Sequence, residues 1–415
     1  MSADDGAASS GRAFVLEKES ELRVEVGSEA PLGLRLASGN AEIFGAELPP
    51  EKWITVQPSQ KIAIFTWKGA TIELEGVSEV EYVADETPMV SYVNVHAILD
   101  GRRSRAMTNK GLDSSRGPRA IVVGPTDSGK SSLCKMLLNW ACRRSWKPTF
   151  VDLDISQGSI TIPGCISASP VQTPIDAFGG IPTEMPVAYF FGHTNASVNV
   201  ELYKVLLTEL ALTLERRFSC DVEYEAAGMV INTMGWVDGL GYELLLQAVS
   251  TFNANVVLVL GQEKLFSMLR DVLKSKPHID IVKLHKSGGV VPRNQKTRQS
   301  SCSSRIKEYF YGLNNDLSPN SLSMNLDDIS VYRISGDPPA ARSLVAVDIN
   351  QEIIHSVLAI SYAKDPDQII SSNVAGFVYV MEIDMESKRI TFLAPCPGEP
   401  PSKVFVMGTM KWSED

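Results

Sequence analysis

Cysteine, histidine and long apolar runs are all scarce in this chain. The six cysteines, Cys134, Cys142, Cys165, Cys220, Cys302 and Cys396, are scattered without a C-x-x-C pair. That excludes the spacing of a zinc site and argues against a disulfide framework, and it fits a reducing compartment. The five histidines, His96, His193, His278, His285 and His355, show no metal-ligand spacing and read as structural or surface residues. No run of about eighteen apolar residues occurs, so no membrane helix is expected. The polar, acidic start MSADDGAASSGR lacks the basic-then-apolar order of a secretory signal. Positive charge is also in deficit: 39 Lys and Arg against 49 Asp and Glu leave a net charge of −10. This speaks against coating of nucleic acid by the whole surface and leaves room for a local basic site. The expectation is a soluble intracellular protein with no membrane partner.

What is present is enough for several cores. At 415 residues, 44% hydrophobic and 21% charged, the chain should divide into roughly two or three domains. Residues 1–13 read as a disordered tail. Runs of period two, FVLEKESELRVEV, PLGLRLASGNAEIFG, KIAIFTWKG and TIELEG, then predict a β-sandwich over 14–100, in which Met89 to Leu99 is either extended or a short helix. Residues 101–118 mix Gly, Ser and charge without periodicity and read as a linker closed by Pro118. From 119 to 312, strands alternate with helical periodicity, the signature of a parallel sheet covered on both faces. Residues 313–415 hold further strands, DISVYRI, SLVAVDI, VAGFVYVMEIDMESKRITFLAP and KVFVMGTM, with a hairpin at MESK; a small barrel or sandwich is expected. No internal repeat is found.

The central segment carries the clearest chemistry. Ala120 to Leu138, AIVVGPTDSGKSSLCKMLL, fits strand, G-x-x-x-x-G-K-[ST], helix. The fold class is therefore multidomain: a central α/β sheet of the phosphate-loop (P-loop) NTPase kind, flanked by an N-terminal β-sandwich and a small C-terminal β domain. Gly124 and Gly129 let the backbone turn tightly and aim N–H groups at phosphate oxygens, so Gly124, Thr126, Asp127, Ser128, Gly129, Lys130, Ser131 and Ser132 form the nucleotide-binding set. Lys130 reaches toward the β- and γ-phosphates, and the Ser131 hydroxyl is the expected Mg²⁺ ligand.

Ligands in such sheets lie beyond the carboxyl ends of the strands, so the residues there come next. VDLDISQGS holds Asp152 and Asp154, which point to the same face of a strand spanning Thr149 to Asp154. Facing alone does not choose between them; Asp154, nearer the strand end, is the candidate base on a nucleophile, and Gln157 lies in the turn that follows. In FFGHTNASVN, Thr194 and Asn199 suit either contacts to sugar and phosphate or a helix cap, with the cap favoured. Trp236, in INTMGWVDG, suits base stacking or, more simply, packing. Lys283 to Lys307 contains no Asp or Glu, and SGGVVPRNQKTRQS supplies a glycine hinge followed by Arg293 and Arg298. Placed after a strand end, it reads as a lid bringing guanidinium groups onto a transferring phosphoryl.

On the residues GPTDSGKSS, LDISQGS, NTMGW, SGGVVPRNQKTR and IKEYFYG, with ELRVEV, AEIFGAEL and IAIFTWKG, the chain from about Phe14 onward resembles the Clp family of polynucleotide 5′-hydroxyl kinases, subunits of the pre-mRNA 3′-end cleavage complex. The resemblance implies transfer of the ATP γ-phosphate, with Mg²⁺, to RNA 5′-hydroxyl ends, GTP use and DNA ends being left open. It implies Lys130 and Ser131 on phosphates and metal, Asp154 as base, Thr194 opening a clasp on the RNA end, Trp236 stacking on the terminal nucleotide, Arg293 and Arg298 as lid arginines, and Glu21 and Lys61 near the adenine. It also implies nuclear localisation, a scaffold subunit of cleavage factor II and other 3′-end processing factors as partners, and in some organisms the tRNA-splicing endonuclease. Two departures stand out: Thr194 is followed by Asn195, Ala196 and Ser197 where the family often has T-T-P-G-x-N, and Ser156 replaces the Gly of D-x-G-Q. The competing readings are an ATP-binding scaffold that turns over little phosphate and a nucleotide-hydrolysing switch.

Overall fold

The computed structural model describes residues 11–109, 116–181, 185–334 and 344–413. Of the expected disordered tail, residues 1–10 lie outside the described residues, while Arg12 and Ala13 belong to the first strand, Arg12–Leu16. That correction has a clear cause: the Arg12 guanidinium donates to Glu81 Oε1 and to the Gly76 carbonyl, each at 2.7 Å, and fastens the start of the strand.

The alternating runs do build a sandwich. A four-stranded sheet faces a five-stranded one, and Leu22, Val24, Leu34, Ile64, Ile72 and Leu74 are buried between them. The expected linker is corrected over its first half, because Met89–Thr108 is one continuous helix. Its buried residues, Tyr92, Val95, Leu99, Arg103 and Ala106, follow helical spacing, but an arginine occupies a core position and hides the pattern. Arg103 donates Nε to the Ala227 carbonyl at 2.9 Å. Residues 110–115 of the linker lie outside the described residues.

The central sheet has seven strands in the order Val187–Phe190, Cys165–Pro170, Thr149–Asp152, Met229–Asn232, Arg119–Val123, Val256–Leu260, Asp280–Leu284. It is not wholly parallel as expected: Cys165–Pro170, unforeseen in the sequence, runs antiparallel to both neighbours. CISASP is short and has one large apolar residue, Ile166, yet all six positions are buried. The strand bearing the phosphate loop sits between Met229–Asn232 and Val256–Leu260, parallel to both. Gly124, Asp152 and Asn232 therefore emerge at the same edge of the sheet.

The C-terminal region forms one seven-stranded sheet, not two, and among the described residues no pairing joins its outer strands Asn320–Asn325 and Leu344–Ala346 into a barrel. Met385 to Lys388 makes the expected hairpin between Val374–Asp384 and Arg389–Ala394. Both flanking regions dock on the centre. Phe377, Tyr379, Met410 and Trp412 share one buried cluster with Ile166, Tyr189 and Phe310. On the other side Glu42, buried in the N-terminal sandwich, accepts from Trp140 Nε1 at 3.0 Å and Arg143 at 2.7 Å on the helix that follows the phosphate loop.

The tightest joint lies between Gly192 and Gly408. Thr409 N–H donates to the Gly192 carbonyl at 2.9 Å, and a Cβ on Gly408 would lie 2.1 Å from that oxygen. Gly408→Val should therefore lower stability by about 2 kcal/mol, within the range for forced overpacking, seen as a lower urea midpoint. An unchanged midpoint would show that the two domains do not depend on this approach.

Candidate active site

The phosphate loop is shaped by backbone rather than by side chains. Gly124 has no room for a Cβ, which would fall 2.8 Å from the Leu260 carbonyl and 2.9 Å from Ser128 Oγ. Asp127 and Gly129 have φ of 54° and 91°, left-handed conformations that turn successive N–H groups toward one concavity. The helix Lys130–Arg143 opens at Gly129 with no side-chain cap among the described residues, so its N-terminal N–H groups are available to an anion. Lys130 is buried, with Nζ 2.9 Å from the Pro125 carbonyl. Burial pushes its pKa down, opposed by the nearby charges of Asp154 and Asp127.

The residues present fit a phosphate and a divalent cation. Ser128 Oγ and Asn232 Oδ1 are buried with no hydrogen-bond partner among the described residues, a cost of about 1–3 kcal/mol each unless a ligand meets them. Asn232 Nδ2 donates to Asp152 Oδ1 at 3.0 Å and lies 3.4 Å from Ser131 Oγ. The donor set of hydroxyl, amide oxygen and carboxylate is all oxygen, the chemistry of a Mg²⁺ site.

The two aspartates divide in role. The strand ends at Asp152, two residues earlier than expected, so Asp154 stands in the loop. Asp152 is 1% exposed and spent on structure, its oxygens accepting the N–H groups of Asp154 (3.1 Å) and Ser159 (2.7 Å) besides Asn232. Burial, reinforced by the charge of Asp154, raises its pKa to about 6. Asp154 is half-buried, and its Oδ1 is fixed by the N–H and hydroxyl of Ser156 at 3.0 and 2.5 Å. Thus Ser156, in place of glycine, adds a hydroxyl that orients the carboxylate. Gln157 follows in the same turn, and the helix Gln295–Tyr311 clamps that turn through Cys302 Sγ on the Ser156 carbonyl (3.2 Å) and Arg305 on the carbonyls of Gly158 (3.4 Å) and Ser159.

Arg293 and Arg298, the expected lid arginines, meet the phosphate loop itself. Asp127 accepts from Arg293 N–H (2.9 Å), Arg293 Nε (3.3 Å) and Arg298 Nη2 (2.5 Å). Burial alone would raise the Asp127 pKa, but the Arg293 N–H and the Arg298 guanidinium outweigh it and hold the carboxyl below its usual range. Val290 packs over Gly129, at 3.1 Å from where a Cβ would stand.

Of the other expected residues, Thr194 is exposed in the loop after its strand. Asn199 Oδ1 caps the helix Val200–Cys220 through the Leu202 N–H at 2.9 Å, so the cap reading holds for that oxygen. Trp236 is half-buried, packed on the core with its ring against Gly241. Its neighbour Gly235 backs onto Thr126, where a Cβ would lie 2.3 Å from Thr126 Oγ1, so the NTMGW turn abuts the phosphate loop. Glu21 and Lys61 are not brought together. Lys61 lies opposite Glu25 and pairs with it, four residues along the strand from Glu21, or about 13 Å. Glu21 is buried and accepts from Arg23 (2.6 Å) and Thr87 (2.7 Å), and Arg23 in turn packs against the hinge glycines Gly288 and Gly289.

Family models span nearly the whole chain: "N-terminal beta-sandwich domain of polyadenylation factor" matches residues 15–106, "mRNA cleavage and polyadenylation factor CLP1 P-loop" 124–312, and "Pre-mRNA cleavage complex II protein Clp1" 317–414. Over 416 residues, 96% of this chain and 94% of the relative, it is 58% identical to a protein CLP1 homolog of Arabidopsis thaliana. The chain belongs to the Clp1 family. It is also 37% identical, over 97% of its length and 96% of the relative's, to the human polyribonucleotide 5′-hydroxyl-kinase Clp1. A chain of the solved Clp1p–Pcf11p complex matches with a TM-score of 0.87 at 25% identity, covering 98% of this chain and 99% of that one.

Within this Clp1-family site, sequence reasoning missed Asn232 and the use of Asp127 as an arginine clamp. Asn232 had a signal, an amide at a buried strand end; Asp127 had none, because its partners lie over 160 residues away. Asp127→Asn keeps a residue that tolerates the left-handed backbone but removes the charge and one acceptor oxygen. With the pair partly exposed, the loss is about 1–2 kcal/mol. Amide exchange at Arg293 should then speed up roughly fivefold to thirtyfold. Unaltered protection would mean that the lid is held by something else.

Proposed function

We propose that this Clp1-family protein transfers the γ-phosphoryl group of ATP to 5′-hydroxyl ends of RNA and works in pre-mRNA 3′-end cleavage. The observation that carries the reading is that Lys130, Asp154 oriented by Ser156, and Arg293 and Arg298 held on Asp127 gather around the phosphate loop at the strand ends. Phosphoryl transfer asks a protein chiefly to align the groups and neutralise charge. The loop N–H groups and Lys130 seat the triphosphate. Asp154, held by Ser156, accepts the proton as the RNA hydroxyl oxygen bonds to the γ-phosphorus and ADP departs. Ser131, with Asp152 and Asn232 behind it, would hold Mg²⁺, which neutralises phosphate charge. Arg293 and Arg298 exchange Asp127 for the transferring phosphoryl oxygens. Thr194, Gln157 and Trp236 line the side from which an RNA end arrives.

The solved Clp1p–Pcf11p complex supports a cleavage-factor subunit as partner, with action in the nucleus. A place beside the tRNA-splicing endonuclease, the use of GTP and an adenine contact from Glu21 or Lys61 belong to the same proposal. One observation favours the scaffold reading, an ATP-binding subunit with little turnover: the arginines rest on the protein's own carboxylate.

Incubation with γ-labelled ATP and a 5′-hydroxyl oligoribonucleotide separates the readings. Label on the RNA supports the kinase, released phosphate a hydrolysing switch, and neither a scaffold. Asp154→Asn should leave ATP binding intact and slow transfer by on the order of 10² or more; unchanged turnover would remove Asp154 from the reaction. Arg293→Ala should depress kcat more than ATP affinity, and a pure affinity loss would contradict its role on the transferring group.

A further inference from the structure

Beside the loop that carries Thr194, the C-terminal sheet forms a cavity of about 270 Å³ that phosphoryl transfer leaves unused. His193, one residue before Thr194, lines one side; Arg333, Ser356, Met407, Thr409 and Lys411 line the other. Register explains their meeting. Met407, Thr409 and Lys411 alternate along one strand and so share a face, while Arg333 pairs with Met407 and Ser356 with Lys411 on the strands to either side.

Two exposed cations flank a lining that is otherwise mainly apolar. Arg333 and Lys411 are exposed, and neither has a carboxylate within ion-pair distance among the described residues; Arg333 Nη2 lies 3.7 Å from Met407 Sδ, and Lys411 Nζ donates to the Glu352 carbonyl at 3.0 Å. Ser356 lines the cavity but is itself fully buried, and its Oγ has no hydrogen-bond partner among the described residues. His193 Nδ1 is engaged by Thr409 Oγ1 at 2.9 Å. An adjoining hollow of about 590 Å³ shares Arg333, Met407 and Lys411 but adds Asp348 and Glu352, so the end that attracts an anion is the one at His193.

We propose that this cavity holds an internal phosphodiester of the RNA, downstream of the 5′ end, with Arg333 and Lys411 supplying charge and the hydroxyls of Ser356 and Thr409 supplying hydrogen bonds. The proposal rests on the RNA-kinase reading. Position favours a nucleic-acid backbone over another phosphate carrier. Gly164 N–H donates to the Ile155 carbonyl at 2.7 Å, and the Gly164 carbonyl accepts from Phe191 and Gly192 at 2.8 and 3.0 Å, binding the Asp154 turn and the His193 loop into one surface. An RNA whose end reaches Asp154 past Thr194 meets His193 next.

The test compares the full chain with its R333A/K411A double variant, both exposed positions, on a 5′-hydroxyl dinucleotide and a dodecamer. The variant should raise KM for the dodecamer about tenfold and leave kcat, KM for ATP and KM for the dinucleotide unchanged. The salt slope of dodecamer binding should fall by about 0.7 for each phosphate that the variant no longer neutralises. Ser356→Ala should give a smaller rise of the same kind. An equal rise for the dinucleotide, or no change for the dodecamer, would overturn the proposal. So would binding of inorganic phosphate that the variant loses while dodecamer binding stays intact. If the wild type labels neither RNA, the kinase reading fails. Fluorescence anisotropy of the labelled dodecamer still decides the cavity: weaker binding by the variant supports it, equal binding overturns it.

Discussion

Two guanidinium groups gathered on one carboxylate of the phosphate loop set the geometry of the site. Asp127 turns its backbone inward toward the anion concavity and its side chain outward toward Arg293 and Arg298. A single residue therefore shapes the cradle and parks the lid beside it. Because the arginines already face an anion, moving them onto a phosphoryl group exchanges one ionic partner for another, which costs far less than desolvating two unpaired cations. The proposed lid would then be poised by charge, with its resting place on the phosphate loop.

The helix bearing Arg298 is tied to every part of the chain. Ahead of it, the hinge glycines rest on Arg23 of the N-terminal sandwich. Along it, Cys302 and Arg305 hold the turn that carries Asp154. At its end, Phe310 stacks on Trp412 with ring centroids 5.9 Å apart, and Ser303 accepts from Trp412 Nε1 at 3.1 Å. The flanking β domains thus set where the lid can go and how the candidate base is held.

Much of this was legible in the sequence because its causes are local. The phosphate loop needs glycines at fixed offsets, and the sandwich strands need only period-two alternation. The hairpin at Met385 to Lys388 likewise follows from turn composition. Where the reading failed, the cause was distant. Arg103 occupies a buried helix position where only its Nε finds a hydrogen-bond partner among the described residues, the Ala227 carbonyl, so a helix looked like a linker. CISASP is a strand because both neighbours complete its ladder, not because its residues favour one. The sequence pattern placed Asp152 and Asp154 on one face; the burial of Asp152 and its contacts to Asn232, Ser159 and the Asp154 N–H show that it is the structural member of the pair.

Transfer by this site requires Asp154 and the proposed lid arginines to converge on one phosphorus. The direct measurement is a crystal structure with a non-hydrolysable ATP analogue, Mg²⁺ and a 5′-hydroxyl RNA. The account predicts the Asp154 carboxylate within hydrogen-bond reach of the 5′-hydroxyl and at least one of Arg293 and Arg298 moved from Asp127 to the γ-phosphate. Both arginines still on Asp127, with the RNA end remote from Asp154, would contradict it.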